Sequence, residues 1–330
     1  MARIGILGVG AVGARAARQF VSIDDHDVVL RDESRSRVEL VASSLGARAS
    51  IDRGPLDASL DADLVVLAGP GRRQVDVARR MVEAGISVVS TSDDIDDVRA
   101  LLALDPLARA RGVSVVVGAG FAPGLSCVLA VHAARRLDEV DEVHVAKSGT
   151  GGPACARQHH RVIGRGAVDW RDGAWEQRPG GSGRELCWFP EPIGARDCYR
   201  AALPDALLLV PAFPEAARVT SRVSGTRRDR LTARLPMLWP THPEGGPGAV
   251  RVEVRGRSNG IGTTIVLGAV DRPAVAAGAV AAVAARSVLS GSVTRPGAGG
   301  LAELVGTVPF LAELDRRGVR AAVFEGASGH

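Results

Sequence analysis

Three glycines near the start of the chain stand in the order Gly8-Val9-Gly10-Ala11-Val12-Gly13, between an apolar run at residues 4–7 and a helix-like stretch at 14–21. A turn of this kind suits a pyrophosphate. One glycine makes the tight turn, one lets the backbone approach the anion, and one lets the helix pack closely on the sheet. Backbone N–H groups at the helix start then face the phosphates. Asp27-Val28-Val29-Leu30 reads as the next strand, and Asp32 at its end, nineteen residues past Gly13, can accept hydrogen bonds from ribose hydroxyls. The pattern predicts a dinucleotide site with Gly8, Gly10, Ala11, Val12, Gly13 and Asp32 as its contacts. Arg31, Arg35 and Arg37 surround the acid and offer partners for a 2′-phosphate, with Arg35 as the cofactor-binding candidate, whereas Glu33 adds a second negative charge so that two acids stand nearer the ribose than Arg35 does. The two acids favour NAD, and NADP stays open.

The elements that must position these residues continue in the same rhythm. Apolar runs at 47–51, 63–68, 86–90 and 113–117 read as strands, with helical stretches at 38–45, 74–84 and 96–110 between them. Alternation of this kind implies a parallel sheet. Gly69-Pro70-Gly71 and Thr91-Ser92-Asp93 would then lie at its carboxyl edge, with Gly69, Pro70 and Thr91 near the nicotinamide ribose; plain turn chemistry accounts for them equally well. After the sixth strand comes Gly118-Ala119-Gly120-Phe121-Ala122-Pro123-Gly124 and an apolar helix at 125–137. Gly120 and Phe121 would sit beside the nicotinamide or a substrate carboxylate, unless the segment is only an interdomain turn.

In the second half, residues 142–147 and 251–255 alternate apolar and polar, 264–267 is β-branched, and 207–210 and 219–223 add strand candidates. They predict a mixed, mostly antiparallel sheet in an α+β domain. Pro273 opens an Ala/Val-rich helix reaching about residue 289. Residues 148–200 read as a long glycine-rich connection carrying Arg157, His159, His160 and three of the four tryptophans, either a functional lid or a surface loop. Lys147 is the only lysine among 41 cationic residues. A partly desolvated lysine can exchange a proton near neutrality, as amine chemistry requires, although biased codon usage would leave the same count. Arg157 is the candidate carboxylate clamp, and Lys147 or His160 the candidate proton donor. His132 and His144, on apolar segments, read as structural.

The order of these motifs resembles the saccharopine dehydrogenase-like reductases. The resemblance is carried by Gly8, Gly10, Gly13, Asp32, the run from Gly120 to Gly124, and a tail with Gly291-Ser292-Val293-Thr294-Arg295-Pro296-Gly297 followed by Leu301-Ala302-Glu303-Leu304 and Phe310-Leu311-Ala312-Glu313-Leu314. It implies an NAD(P)-dependent oxidoreductase that transfers hydride at a carbon bonded to nitrogen, in an amino acid or an amino acid–carbonyl adduct. It also implies a homodimer, and closing helices that return to the first domain. Two other readings stay open: amine–carbonyl condensation with bound NAD, as in homospermidine synthases, and a nucleotide-sensing protein without catalysis.

Length and composition set the outer bounds. At 330 residues the chain exceeds the roughly 250–300 at which one core stops growing, so two domains are expected: 1–122 for the dinucleotide, 123–272 for substrate and dimerisation, and 273–330 returning to the first. Hydrophobic residues at 46% and charged residues at 24% fit a folded globule rather than a disordered chain. The net charge of +4 is spread among 37 acids without a basic stripe, which argues against nucleic acid. Four cysteines without paired spacing predict reduced thiols and no metal. With no apolar run long enough for a membrane span, the expectation is a cytoplasmic protein.

Overall fold

Runs such as LVVL and the VVV of residues 115–117, with no polar residue to face water on alternate positions, suit strands buried on both faces. In the computed structural model, which describes residues 1–69, 74–237 and 241–324, they are the inner strands of a parallel sheet. The elements begin with β1 (Arg3–Leu7), α1 (Ala11–Ser22), β2 (Asp27–Arg31), α2 (Arg35–Leu45), β3 (Ala49–Ile51), β4 (Leu64–Leu67), α3 (Gln74–Glu83), β5 (Ser87–Ser90), α4 (Ile95–Leu102), α5 (Asp105–Arg111) and β6 (Ser114–Val117). There follow α6 (Leu125–Ala134), β7 (Glu139–Ser148), α7 (Pro153–Ile163), β8 (Ala167–Arg171), β9 (Ala174–Arg178), β10 (Glu185–Trp188), β11 (Ala195–Arg200), α8 (Asp205–Leu209), β12 (Arg218–Ser224), α9 (Arg227–Thr232), β13 (Gly248–Ser258) and β14 (Ile261–Asp271). The chain closes with α10 (Pro273–Leu289), β15 (Gly297–Gly300), α11 (Leu301–Leu304), α12 (Thr307–Arg316) and β16 (Ala321–Phe324).

Two compact units result, one of residues 1–120 with 274–306 and the other of 121–273 with 307–330. The first holds seven parallel strands in the order β15-β6-β5-β4-β1-β2-β3. Strand order reverses between β1 and β4, the position at which open α/β sheets bind ligands beyond their carboxyl ends. The Ala-rich α10 packs so closely on α1 that a Cβ at Gly278 would lie 2.8 Å from the Ala16 nitrogen. Glycine-rich β15 is held beside β6 by Asp105, whose carboxylate accepts from the Ala298 backbone N–H at 2.8 Å, Arg295 at 3.0 Å and Arg109 at 2.6 Å.

The second unit is built on a sheet in the order β10-β11-β12-β7-β13-β14-β16, with β8 branching from β12 and pairing β9. Its β12–β7 pairing is parallel, whereas the other pairings are antiparallel. β7 and β13 align Val143 with Val254, Val145 with Val252 and Lys147 with Val250, a buried row under α6. The opposite face is charged: His144 bridges Glu142 at 2.9 Å and Thr220 at 2.8 Å, and Glu253 receives both Arg251 and Arg255.

The structure departs from the sequence reading at five places. Residues 207–210 are not a strand, because Asp205–Leu209 is helical and runs into a 3-10 turn at Val210–Ala212. The stretch at 96–110 is two helices, and Pro106 lies in the first turn of the second. Residues 148–200 are no loop: they hold α7 and strands β8 to β11, so His159 and His160 are helical. Residues 307–330 group with the second unit and not the first, and the first division falls after Gly120 rather than after residue 122.

Candidate functional site

Within the first unit, each glycine of the β1–α1 turn has a separate physical reason. Gly8 has φ +93°, and a Cβ there would stand 2.4 Å from the Gly69 nitrogen. At Gly13 a Cβ would meet the Gly8 carbonyl oxygen at 1.9 Å, so only glycine lets α1 approach the turn. A Cβ at Gly10 meets nothing within 4 Å. No fold contact therefore requires glycine at that position, and the clearance is what a pyrophosphate beside the backbone needs. Gly10 is also the N-cap of α1 and supplies no side-chain cap, while the first turn, with Ala11, Val12 and Gly13, carries no acid. The N–H groups and the positive end of the helix dipole are left for an anion.

Asp32 stands at the end of β2. Its Oδ2 accepts from the Val9 N–H at 2.6 Å and its Oδ1 from the Ser34 N–H at 2.8 Å, so the acid braces the glycine turn directly. Arg37 reaches Oδ1 at 3.4 Å, and Arg35 is exposed at the start of α2. Arg31 is turned inward: its guanidinium donates to Asp52 at 2.9 Å, Pro55 O at 2.8 Å, Ala58 O at 2.7 Å and Ser59 O at 3.2 Å. Those bonds commit it to the 52–59 segment and remove it from the arginines expected to serve a 2′-phosphate. The residues present thus fit a dinucleotide.

At the carboxyl edge, Gln74 joins two of the loops. Its amide donates to the Gly69 carbonyl at 2.7 Å and accepts from the Ser90 hydroxyl at 2.7 Å. Ser92 hydrogen-bonds Asp97 at 3.1 Å, and Asp94 caps α4. Thr91 donates both N–H and hydroxyl to the Leu67 carbonyl, at 3.0 and 3.2 Å. This bracing was missed in the sequence; a glutamine opening a helix just past a glycine-proline loop was the available signal. Pro70 lies outside the described residues. Gly120 and Phe121 are both buried, and the Gly120 N–H closes a tight turn onto the Gly118 carbonyl at 2.9 Å.

The second unit holds the other candidates. Lys147, near the end of the central strand β7, is 9% exposed and donates from Nζ to the Ala122 carbonyl at 3.0 Å, tying the glycine-rich crossover to the sheet. Beside it, the Ser224 and Ser148 hydroxyls meet at 2.9 Å, and His159 reaches the Ser224 carbonyl at 2.9 Å. His160 is buried, with Nε2 at 2.9 Å from Thr232 O and 3.1 Å from Leu235 O. Two acceptors at one nitrogen fix it as an N–H donor that holds the segment around α9 against α7. Arg157, three residues earlier on the same helix, is exposed. The expected trio is therefore spread over a strand end, a buried helix face and an exposed one. On the charged sheet face, burial pushes the His144 imidazole below its usual range despite its Glu142 partner. Among the described residues, no group of three or more His, Cys, Asp or Glu is placed to hold a metal ion, and no helix is long and apolar enough to cross a membrane.

A family model described as NADP oxidoreductase, coenzyme F420-dependent, matches residues 3–102, the part of the chain that carries the glycine turn and Asp32. Among solved structures, the chain is similar to apo saccharopine dehydrogenase (L-Glu forming) from Saccharomyces cerevisiae, with a TM-score of 0.73 at 17% identity over 98% of this chain and 100% of that one. Amine dehydrogenase from Mycobacterium smegmatis gives 0.55 at 14% identity, covering 93% of this chain and 96% of the other. An engineered D-amino acid dehydrogenase bound to NADP+ gives 0.50 at 15% identity, covering 92% and 94%. The chain is saccharopine dehydrogenase-like in fold over nearly its whole length, with a dinucleotide-type first unit.

Proposed function

We propose that this chain is an NAD(P)-dependent oxidoreductase that transfers hydride at a CH–NH carbon of an amino acid or amino acid–carbonyl adduct. The observation that carries it is the clearance at Gly10 beside an uncapped helix N-terminus, in a turn where Gly8 and Gly13 are already required by packing. Support for carbon–nitrogen chemistry comes from the proteins whose fold this chain shares, which include saccharopine, amine and D-amino acid dehydrogenases. NAD is the preferred cofactor, because on this reading Asp32 would meet the ribose hydroxyls and Arg31 is committed elsewhere.

A bound nicotinamide would supply hydride to the carbon of a C=N bond, and the nitrogen must then receive a proton. The protein's part is positioning. Lys147 holds the crossover segment through Ala122, and it is the preferred proton donor of the two candidates, because the His160 Nε2–H is already shared by two carbonyls. Arg157, exposed and cationic, serves as the carboxylate clamp. Fluorescence titration with NADH and NADPH tests the cofactor half of the reading. Saturation at micromolar NADH is expected, and absence of binding by either cofactor at high micromolar concentration removes the proposal. Product formed without net change at 340 nm would instead favour condensation with bound NAD.

A further inference from the structure

In the second unit, Leu125 and His132 on one stripe of α6, with Arg136 in the turn that follows the helix, line a cavity of about 340 Å³. The size falls within the roughly 300–1,000 Å³ of small-molecule pockets. Leu125, Leu267, Leu311 and Val319 give it an apolar wall. Its polar groups are unevenly matched. Asp315 is already 3.6 Å from Arg320, whereas Arg136 has no carboxylate partner among the described residues. His132 Nδ1 is enclosed without a hydrogen-bond partner, which leaves Nε2 as the ring's outlet for a polar contact. Buried polar atoms without partners are rare in folded proteins and call for an explanation.

We propose that this cavity binds a small aliphatic carboxylate, its hydrocarbon body against Leu125, Leu267, Leu311 and Val319 and its carboxylate between Arg136 and His132. Burial, then the charges of Arg136 and Arg135, push the His132 imidazole below its usual range, and Asp315 and Arg320 are the other charged groups that line the cavity. At neutral pH the ring is thus an uncharged donor beside one unmatched guanidinium. That donor set suits the single charge of a carboxylate, and the apolar wall favours an aliphatic body over a bare inorganic anion. The site shares no residue with the dinucleotide turn or with Lys147, Arg157 and His160, so it stands independently of the proposed reaction.

Calorimetric titration of the full-length protein with hexanoate and with 4-methylpentanoate tests it, with hexanol as the uncharged control. Saturable binding of at least one acid is expected, with none of hexanol, and the two acids distinguish a straight from a branched body. Arg136→Gln, at an exposed position, should weaken binding tenfold or more, and Leu311→Trp, which fills the cavity, should abolish it. Should Leu311→Trp fail to fold, Arg136→Gln still decides. Failure of both acids to saturate, unchanged affinity in Arg136→Gln, or equal binding of hexanol would each overturn the assignment.

Discussion

Gly10 and Gly13 belong to one motif, but the physics assigns them different work. Gly13→Ala drives a methyl into the Gly8 carbonyl, 1.9 Å away, and should cost ~1–3 kcal/mol of stability as an overpacked contact, seen as a lowered denaturant midpoint. Gly10→Ala has clear space around it, so it should fold like the wild type and lose dinucleotide affinity. Equal destabilisation by the two substitutions would contradict this division. Asp32 combines both kinds of work on the proposed reading, because it accepts from Val9 and would also accept from a ribose. Asp32→Ala should lose ~1–3 kcal/mol of NADH affinity, the worth of a hydrogen bond to a charged group, with NADPH gaining relative to NADH in fluorescence titration. If Arg35→Ala abolished NADPH binding while Asp32→Ala changed neither cofactor, the arginines would set the preference instead.

Among the elements, β15 depends most plainly on a single side chain. Burial alone would raise the Asp105 pKa, but the bonds from Arg109, Ala298 and Arg295 outweigh it and hold the carboxyl below its ordinary 3.8. A carboxyl depressed in the folded state contributes stability that is present above the unfolded pKa and lost as pH falls through the folded one. The wild type should therefore lose resistance to denaturant as pH drops below about 4, and Asp105→Asn should lose less over that range, starting from a lower stability at neutral pH. Parallel acid profiles for the two proteins would exclude this role. The same scale shows why the sequence was legible in one half and less so in the other. Strands buried on both faces, such as Leu64–Leu67, announce themselves as unbroken apolar runs, and the glycine turn follows directly. At residues 207–210 an equally apolar run is mostly helical and ends in a 3-10 turn, since four such residues cannot distinguish a buried strand from a buried helix by periodicity. β9 and β10, reading AWEQR and ELCW, mix exposed aromatics with charges and resemble loop. Arg31 looked available on a strand next to Asp32, yet its buried role rests on carbonyls at 55, 58 and 59, which backbone folding alone brings near.

For the whole molecule, the near absence of lysine makes Lys147 separable by simple chemistry. Lys147→Met removes a bond from a charged donor to Ala122 and should lower both stability and turnover, whereas Lys147→Arg keeps the charge but replaces the amine by a guanidinium. Restored stability without restored turnover in the arginine variant would mark a proton-transfer role. Restoration of both would mark positioning alone. The central claim is carbon–nitrogen hydride transfer, and absorbance at 340 nm reads it directly. The full-length protein should be incubated with NADH or NADPH and a panel of amines and amino acids, each paired with carbonyl acids, and with the oxidised cofactors and the amines alone. The account predicts cofactor turnover that requires the nitrogen-bearing partner and falls in Asp32→Ala with NADH. Tight cofactor binding with no turnover across the panel would contradict it and leave a nucleotide-binding protein without this catalysis.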